Sequence, residues 1–334
     1  MLLAVLAIWI APGTWVRTIV PPPDFTAPLL ITPLANPQGL TSVEEGEITL
    51  LRAWKLDSRN AHFGGYSALV TLPKGRLLAG SDRGRLLEMP LPENADPKTP
   101  VQFSYFAGTT GGPRIFVDLE ALERDEAAKT IWGAYEYKGR IESFSRGQIA
   151  KPARGAAIPA MKDWPDNGGA ETMVRLADGR FVVIAEASSS KSRTGLLFSG
   201  DPIAHPKPKQ FRFMPPEGYS PVDGTLLPDG RVMLLVRRVI WGLPPRFATG
   251  LVVADPAEIN EGGMWRGEMI ATIAGPDLDE NFEGIANIPQ NDGSLDLYLI
   301  ADDNLSAFQE TLMLRLNWKP KSAPKSAPDS KKAR

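Results

Sequence analysis

The chain has 334 residues, with 37 Lys and Arg against 39 Asp and Glu, and no cysteine. A net charge of −2 leaves no overall field to draw nucleic acid or an anionic membrane. The missing thiols exclude disulfides, thiolate metal sites and a cysteine nucleophile. Gly and Pro, 31 of each, are plentiful enough to punctuate many short strands, which suits an all-β chain.

Residues 1–20 read as a signal peptide or membrane anchor. Met1 to Val16 is uncharged and mostly apolar, long enough for a signal h-region and short for a membrane span, although no basic segment precedes it. This predicts an exported protein, periplasmic or otherwise outside the cytoplasm, with attachment through the N-terminus if the segment is kept. Residues 21–45 open with Pro21-Pro22-Pro23, a stiff spacer, and are expected to be a linker. Residues 46–318 form the folded domain. Residues 319–334 repeat Lys-Ser-Ala-Pro and end in basic residues, which predicts a disordered tail.

Within the domain five apolar stretches begin at Gly65-Tyr66-Ser67, Asp118-Leu119-Glu120, Gly169-Ala170-Glu171, Pro221-Val222-Asp223 and Asn281-Phe282-Glu283. They recur at about fifty to sixty residues, the spacing of a four-stranded propeller blade. Each runs into a hairpin whose strands are apolar on both faces, as in Phe181-Val182-Val183-Ile184-Ala185, a pattern of burial between sheets. Lys74-Gly75, Asp178-Gly179, Asp229-Gly230 and Asp292-Gly293 are read as two-residue hairpin turns, with a longer loop left open for the last, and Asp-Gly favours type I′. That register pairs Ser67 with Asp82, Glu171 with Glu186, Asp223 with Val236 and Glu283 with Asp302. The second hairpin has the charged turn Glu123 to Lys129 instead, with Glu120 facing roughly Glu136. The last repeat lacks a fourth strand, and Glu47 to Trp54 from the N-terminus can supply it and close the ring. The expectation is a β-propeller of five blades, with a sixth from irregular segments left open.

All the first strands start at one face of such a ring. Ser67, Glu120, Glu171, Asp223 and Glu283 then converge on one mouth of the channel, joined by Asp82, Glu136, Glu186, Arg237, Asp302 and Asp303. Opposed like charges destabilise a strand pair, and a bound cation resolves the repulsion. The set of hard oxygen donors suits Ca²⁺; no cysteine and two histidines argue against zinc. The expected metal ligands are Asp82, Glu120, Glu171, Asp223, Glu283, Asp302 and Asp303. Arg83 and Arg85, and Arg237 within the acidic slot, are candidates to bind an anionic substrate. For each carboxylate, strand capping or solvation in the channel is the competing reading.

The motifs Phe63-Gly64-Gly65-Tyr66-Ser67 with Ser81-Asp82-Arg83-Gly84-Arg85, Gly169-Ala170-Glu171 with Ala185-Glu186, Pro221-Val222-Asp223, and Asn281-Phe282-Glu283-Gly284 with Ala301-Asp302-Asp303-Asn304 resemble the phytase-like propeller domain, "esterase-like activity of phytase". The resemblance runs from about Gly46 to Trp318. It implies an esterase or phosphoesterase, with calcium ions that bind phosphate and activate water. The expected activity is therefore metal-dependent hydrolysis of a small anionic ester by an exported monomer, with Glu171 or Glu186 as general base. The alternative is a non-catalytic, calcium-stabilised propeller that binds a ligand or protein in the cell envelope.

Overall fold

In a computed structural model, the chain folds into five sheets, antiparallel but for one added edge strand, arranged as a ring, a five-bladed β-propeller. The structure describes residues 22, 24–44, 47–96, 102–105, 118–136, 139–146, 154–165, 168–186, 191–306 and 308–320. The expected N-terminal signal or anchor and all but the start of the tail lie outside these residues.

Three strands precede the first repeat: β1 (Leu30–Pro33), β2 (Leu40–Ser42) and β3 (Ile48–Asp57). Blade 1 follows with β4 (Tyr66–Leu72), β5 (Arg76–Ser81), β6 (Arg85–Pro90) and β7 (Gln102–Tyr105). Blade 2 has β8 (Leu119–Asp125), β9 (Thr130–Tyr135), β10 (Arg140–Ser145) and β11 (Arg154–Ala157). Blade 3 has β12 (Ala170–Arg175), β13 (Phe181–Ala185), β14 (Arg193–Phe198) and β15 (Lys209–Met214). Blade 4 begins with β16 (Ser220–Leu226), β17 (Val232–Ile240) and β18 (Arg246–Ala254). From the loops that follow, β19 (Met264–Arg266) joins blade 3 in parallel, and β20 (Glu268–Ile273) completes blade 4. Blade 5 has β21 (Asn281–Pro289), β22 (Leu295–Asp302) and β23 (Leu312–Trp318).

The ring closes as the pattern predicts, because β3 pairs with β23 and supplies the fourth strand of blade 5. Trp318 Nε1 donates to Glu47 Oε1 at 2.9 Å beside this closure. Within the stretch expected as a linker, the described residues include two strands. β1 extends blade 5 beyond β3, and β2 pairs with β20 at the edge of blade 4. Two otherwise open edges are thereby covered.

The innermost strands β4, β8, β12, β16 and β21 each pack against those of the neighbouring blades. All five residues of β13 and all eight of β22 are buried, which is why these runs are apolar on both faces. Where blade 5 meets blade 1, a Cβ on Gly284 would lie 2.7 Å from Ile300 Cγ2 and 2.9 Å from the Ala68 carbonyl carbon. Only glycine fits that seam.

Two details shift the expected register. Asp178, Asp229 and Asp292 are not in the positive-φ conformation a type I′ turn needs, whereas Gly179, Gly230 and Gly293 are, at 87°, 90° and 84°. The loops therefore hold three residues, closed by Leu176 N–H to Arg180 O and Leu227 N–H to Arg231 O, both 2.8 Å, and Gln290 N–H to Ser294 O at 2.9 Å. A three-residue loop ending in left-handed glycine is the next commonest hairpin solution. The second detail is a β-bulge at the same place in every inner strand, between Tyr66 and Ala68, Leu119 and Ala121, Ala170 and Thr172, Pro221 and Asp223, and Phe282 and Gly284. In blade 2 the expected turn is also shorter: β8 continues to Asp125, and Thr130 already begins β9.

Candidate functional site

The five bulges place Ser67, Glu120, Glu171, Val222 and Glu283 in equivalent slots. A bulge leaves one residue unpaired and re-aims its side chain. Three of the five slots thus present a carboxylate at the mouth of the channel. The expected direct pairs do not form: Glu171 sits in its bulge rather than opposite Glu186, and Asp302 pairs with Asn281 rather than Glu283. The side chains still meet across blades, because the ring brings all five slots to one opening.

Glu120, Glu171, Glu283 and Asp302 are buried, and each feels the charge of another. Burial, reinforced by Glu283, Asp118, Glu136 and Asp82, pushes the Glu120 carboxyl well above its ordinary range. Burial and the charges of Glu120, Glu186 and Glu283 do the same to Glu171 against the pull of Arg237. Asp302 is raised by burial and by Glu283 and Asp82. Burial pushes Asp82 up to about 6, opposed by Arg83 and supported by Asp118 and Glu283. Its Oδ1 is buried without a hydrogen-bond partner among the described residues.

The mouth divides into two halves. On one side Arg237 donates to Glu186 Oε1 at 2.6 Å, to Asn281 Oδ1 at 2.6 Å and to Glu283 Oε1. Asn281 Nδ2 also donates to Glu283 Oε1 at 2.9 Å. The guanidinium lies 5.7 Å from the Phe247 ring centroid. An internal cation already balances this side. On the other side Asp118, Glu120 and Glu136 bring carboxylate oxygens within 4.8 Å of one another. Burial raises Asp118 and lifts Glu136 up to about 7. Glu136 Oε1 also accepts from the N–H groups of Gly168 and Gly169.

Other expected site residues are placed differently. Asp223 lies one position past the slot, which Val222 fills. Its carboxylate accepts from Gly224 N–H and, across the blade 4–blade 5 seam, Ile285 N–H, both at 2.7 Å. Asp303 accepts from Gly65 N–H at 3.0 Å, Leu305 N–H at 2.9 Å and Thr311 Oγ1 at 3.0 Å, so it ties the loop after β22 to the entry of blade 1. Ser67 Oγ donates to Leu119 O at 2.6 Å. Arg85 is buried and donates to Ala61 O at 3.3 Å, whereas Arg83 is exposed beside Asp82.

Asp118 was not among the expected ligands. It stands two residues before Glu120, a spacing that puts side chains on one face of a strand, and this was the available signal. Glu136 was expected at the mouth but not as a ligand. Asn281 carried no distinguishing signal.

The chain matches the Phytase-like family, described as "Esterase-like activity of phytase", over residues 61–305. No curated protein matches it. Similar solved structures include a luciferin-regenerating enzyme at 10% identity, covering 80% of this chain and 94% of that one with a TM-score of 0.43. A glucose dehydrogenase is 11% identical, with 82% and 99% covered and a TM-score of 0.42. A protein of unknown function from Bacteroides caccae is 13% identical, with 69% and 65% covered and a TM-score of 0.34. At these scores none of them carries an argument about this chain. The matched span runs from before β4 to just beyond β22 and includes every carboxylate at the mouth, and the chain belongs to the Phytase-like family.

Proposed function

We propose that this protein is an exported hydrolase of a small anionic ester, with Ca²⁺ held at the blade 1–blade 2 side of the mouth. The observation that carries this reading is the convergence of Asp118, Glu120 and Glu136 within 4.8 Å, beside the orphaned Asp82 Oδ1. The donors are all oxygen, which fits a hard cation. When bound, such an ion polarises an ester oxygen and lowers the pKa of a coordinated water. Arg83, exposed next to Asp82, receives the anionic group of the substrate. Glu186, which accepts from Arg237, takes the proton from water. Glu171, whose carboxyl burial pushes well upward, holds a proton that it gives to the leaving oxygen, while the proton from water stays on Glu186. Two carboxyls with unlike surroundings suit general base and general acid respectively. Export is supported by the uncharged apolar stretch at residues 1–16.

Calorimetric titration of chelator-stripped protein with Ca²⁺, beside hydrolysis of a panel of phosphomonoesters, lactones and carboxylesters, tests the proposal. Glu120→Gln weakens Ca²⁺ binding at least about tenfold, the scale of a coordination-sphere loss. Glu171→Gln abolishes turnover and leaves Ca²⁺ binding in place. Full turnover by Glu171→Gln removes that residue from the mechanism. A second reading, a non-catalytic propeller that holds a ligand or protein, is favoured by Arg237, which already neutralises part of the mouth. Calcium-dependent stabilisation without turnover of any panel member would support it.

A further inference from the structure

One hairpin of the propeller rises past the mouth. In the other four blades the second strand ends at or within one residue of the mouth, at Ser81, Tyr135, Ala185 and Asp302. The equivalent position in blade 4 is Val236, which pairs with Pro221, yet β17 continues through Arg237 to Ile240 and β18 starts only at Arg246. Arg237 is itself at the opening, and the three residues beyond it, at ~3.3 Å each, carry the arm about 10 Å above it. Its tip is Trp241-Gly242-Leu243-Pro244-Pro245. Trp241 is 90% exposed and Leu243 is 87% exposed. Soluble surfaces rarely leave such side chains together in water without a partner.

Two further observations say what covers this tip. Arg238 and Arg246 flank it, both exposed, and no acidic residue lies between them in the chain. Arg238 lies 5.0 Å from the Tyr219 ring centroid, and Arg246 shares its charge with Asp279 at 3.3 Å. The arm is therefore apolar at its end and cationic at its base, the arrangement of a segment that inserts into an anionic lipid interface. Moreover, the described chain enters the fold on the same face. Asp24 O accepts from Asn60 Nδ2 at 2.8 Å, and Asn60 lies in the connection between the mouth ends of β3 and β4. The first described residues, up to Asp24, thus meet the propeller at the mouth side. Exposed Phe25 and Phe308 lie on this side as well. The opposite face carries the polar turns at Lys74, Asp178, Asp229 and Asp292.

We propose that the mouth face rests on an anionic bilayer surface, with the tip of the β17–β18 hairpin as the inserted contact. The arm holds the acidic opening off the lipid charge by more than the Debye length, about 8 Å in physiological salt, and leaves room for substrate beneath it. This is a peripheral contact; no helix among the described residues is long and apolar enough to cross a membrane. It does not depend on whether the mouth is catalytic.

Because the chain has no cysteine, Trp241→Cys, Leu243→Cys and Lys74→Cys each create a unique site for an environment-sensitive fluorophore. The full chain is mixed with vesicles of phosphatidylcholine and phosphatidylserine, with and without lipid-borne quencher. Labels at 241 and 243 shift to the blue and are quenched, and the label at 74, on the far face, does neither. Arg238→Gln weakens the response about fivefold, the loss expected per surface arginine, and Arg246→Gln, whose charge is shared with Asp279, weakens it less. Three results would overturn the proposal. The first is cosedimentation with the labels at 241 and 243 still in water, which would assign attachment to residues 1–21 alone. The second is no vesicle binding at all. The third is a blue shift that grows with protein concentration without lipid, which would make a second copy the occupant.

Discussion

Asp223 and Arg237 show how one side chain at the mouth can serve the scaffold instead of the chemistry. Asp223 is 1% exposed, and its two oxygens hold N–H groups from its own strand and from β21. Asp223→Ala leaves both donors buried and unpaired at a cost of about 2–4 kcal/mol. Denaturant unfolding should show that loss, while calorimetry finds Ca²⁺ binding unchanged. Arg237 is the counter-charge for Glu186 and Glu283. Arg237→Gln strands two acidic groups, and stability in chelator should fall by about 3–5 kcal/mol, as for other broken buried pairs. Added Ca²⁺ should return part of the lost melting temperature, since the freed carboxylates can then share a cation. No difference between chelator and Ca²⁺ for this variant would argue against a cation at the mouth.

The inner hairpins derive their geometry from two local devices, a turn below, closed by glycine in four blades and by Lys129 (φ 51°) in blade 2, and a bulge above. At Gly179 and Gly230 an added Cβ would meet nothing within 4 Å, so the cost of Gly230→Ala is backbone strain alone, about 1–2 kcal/mol. Gly284→Ala costs more, about 3 kcal/mol, because the new methyl presses on backbone and Ile300 at the seam between blades 5 and 1. Thermal melts of the two variants separate these causes. The turns and the repeat were legible from Asp-Gly and the apolar runs, but the turn type was not. Asp-Gly serves both two-residue and three-residue loops, and the choice depends on how the strands must twist to meet their neighbours. A one-residue change in loop length moves every cross-strand partner, which is why Glu171 and Glu186 are not opposite one another.

Across the ring, the raised carboxyls set a pH dependence of stability. Asp82, Glu120, Glu136, Glu171, Glu283 and Asp302 all have folded pKa values above their unfolded ones. The folded state therefore binds more protons than the unfolded chain between about pH 4 and the folded values, which reach about 6 for Asp82 and about 7 for Glu136. Stability of the cation-free protein is then fully present below about pH 4 as far as these groups are concerned, and falls as pH rises through that window. Melting in chelator should drop from pH 5 to pH 8. With saturating Ca²⁺ the slope should flatten or reverse, because the ion favours the ionised forms. A flat profile in chelator would mean that the charges are balanced by other means.

Fold class, ring closure by the strand after Gly46, and the gathering of acidic residues at one opening follow from periodicity, whereas five blades rather than six was decided by the structure. An inner strand buried on both faces must be apolar wherever it lies, so the repeat is visible in one dimension. Which carboxylates touch was decided by packing between blades. The bulge turns Glu120, Glu171 and Glu283 inward, Val222 takes the fourth slot from Asp223, and Arg237 reaches across to blades 3 and 5. Asp118 and Glu136 join Glu120 for the same reason. Neighbours within a strand are encoded by spacing, but neighbours across a ring are set by how closely five sheets can pack, and no local pattern records that distance.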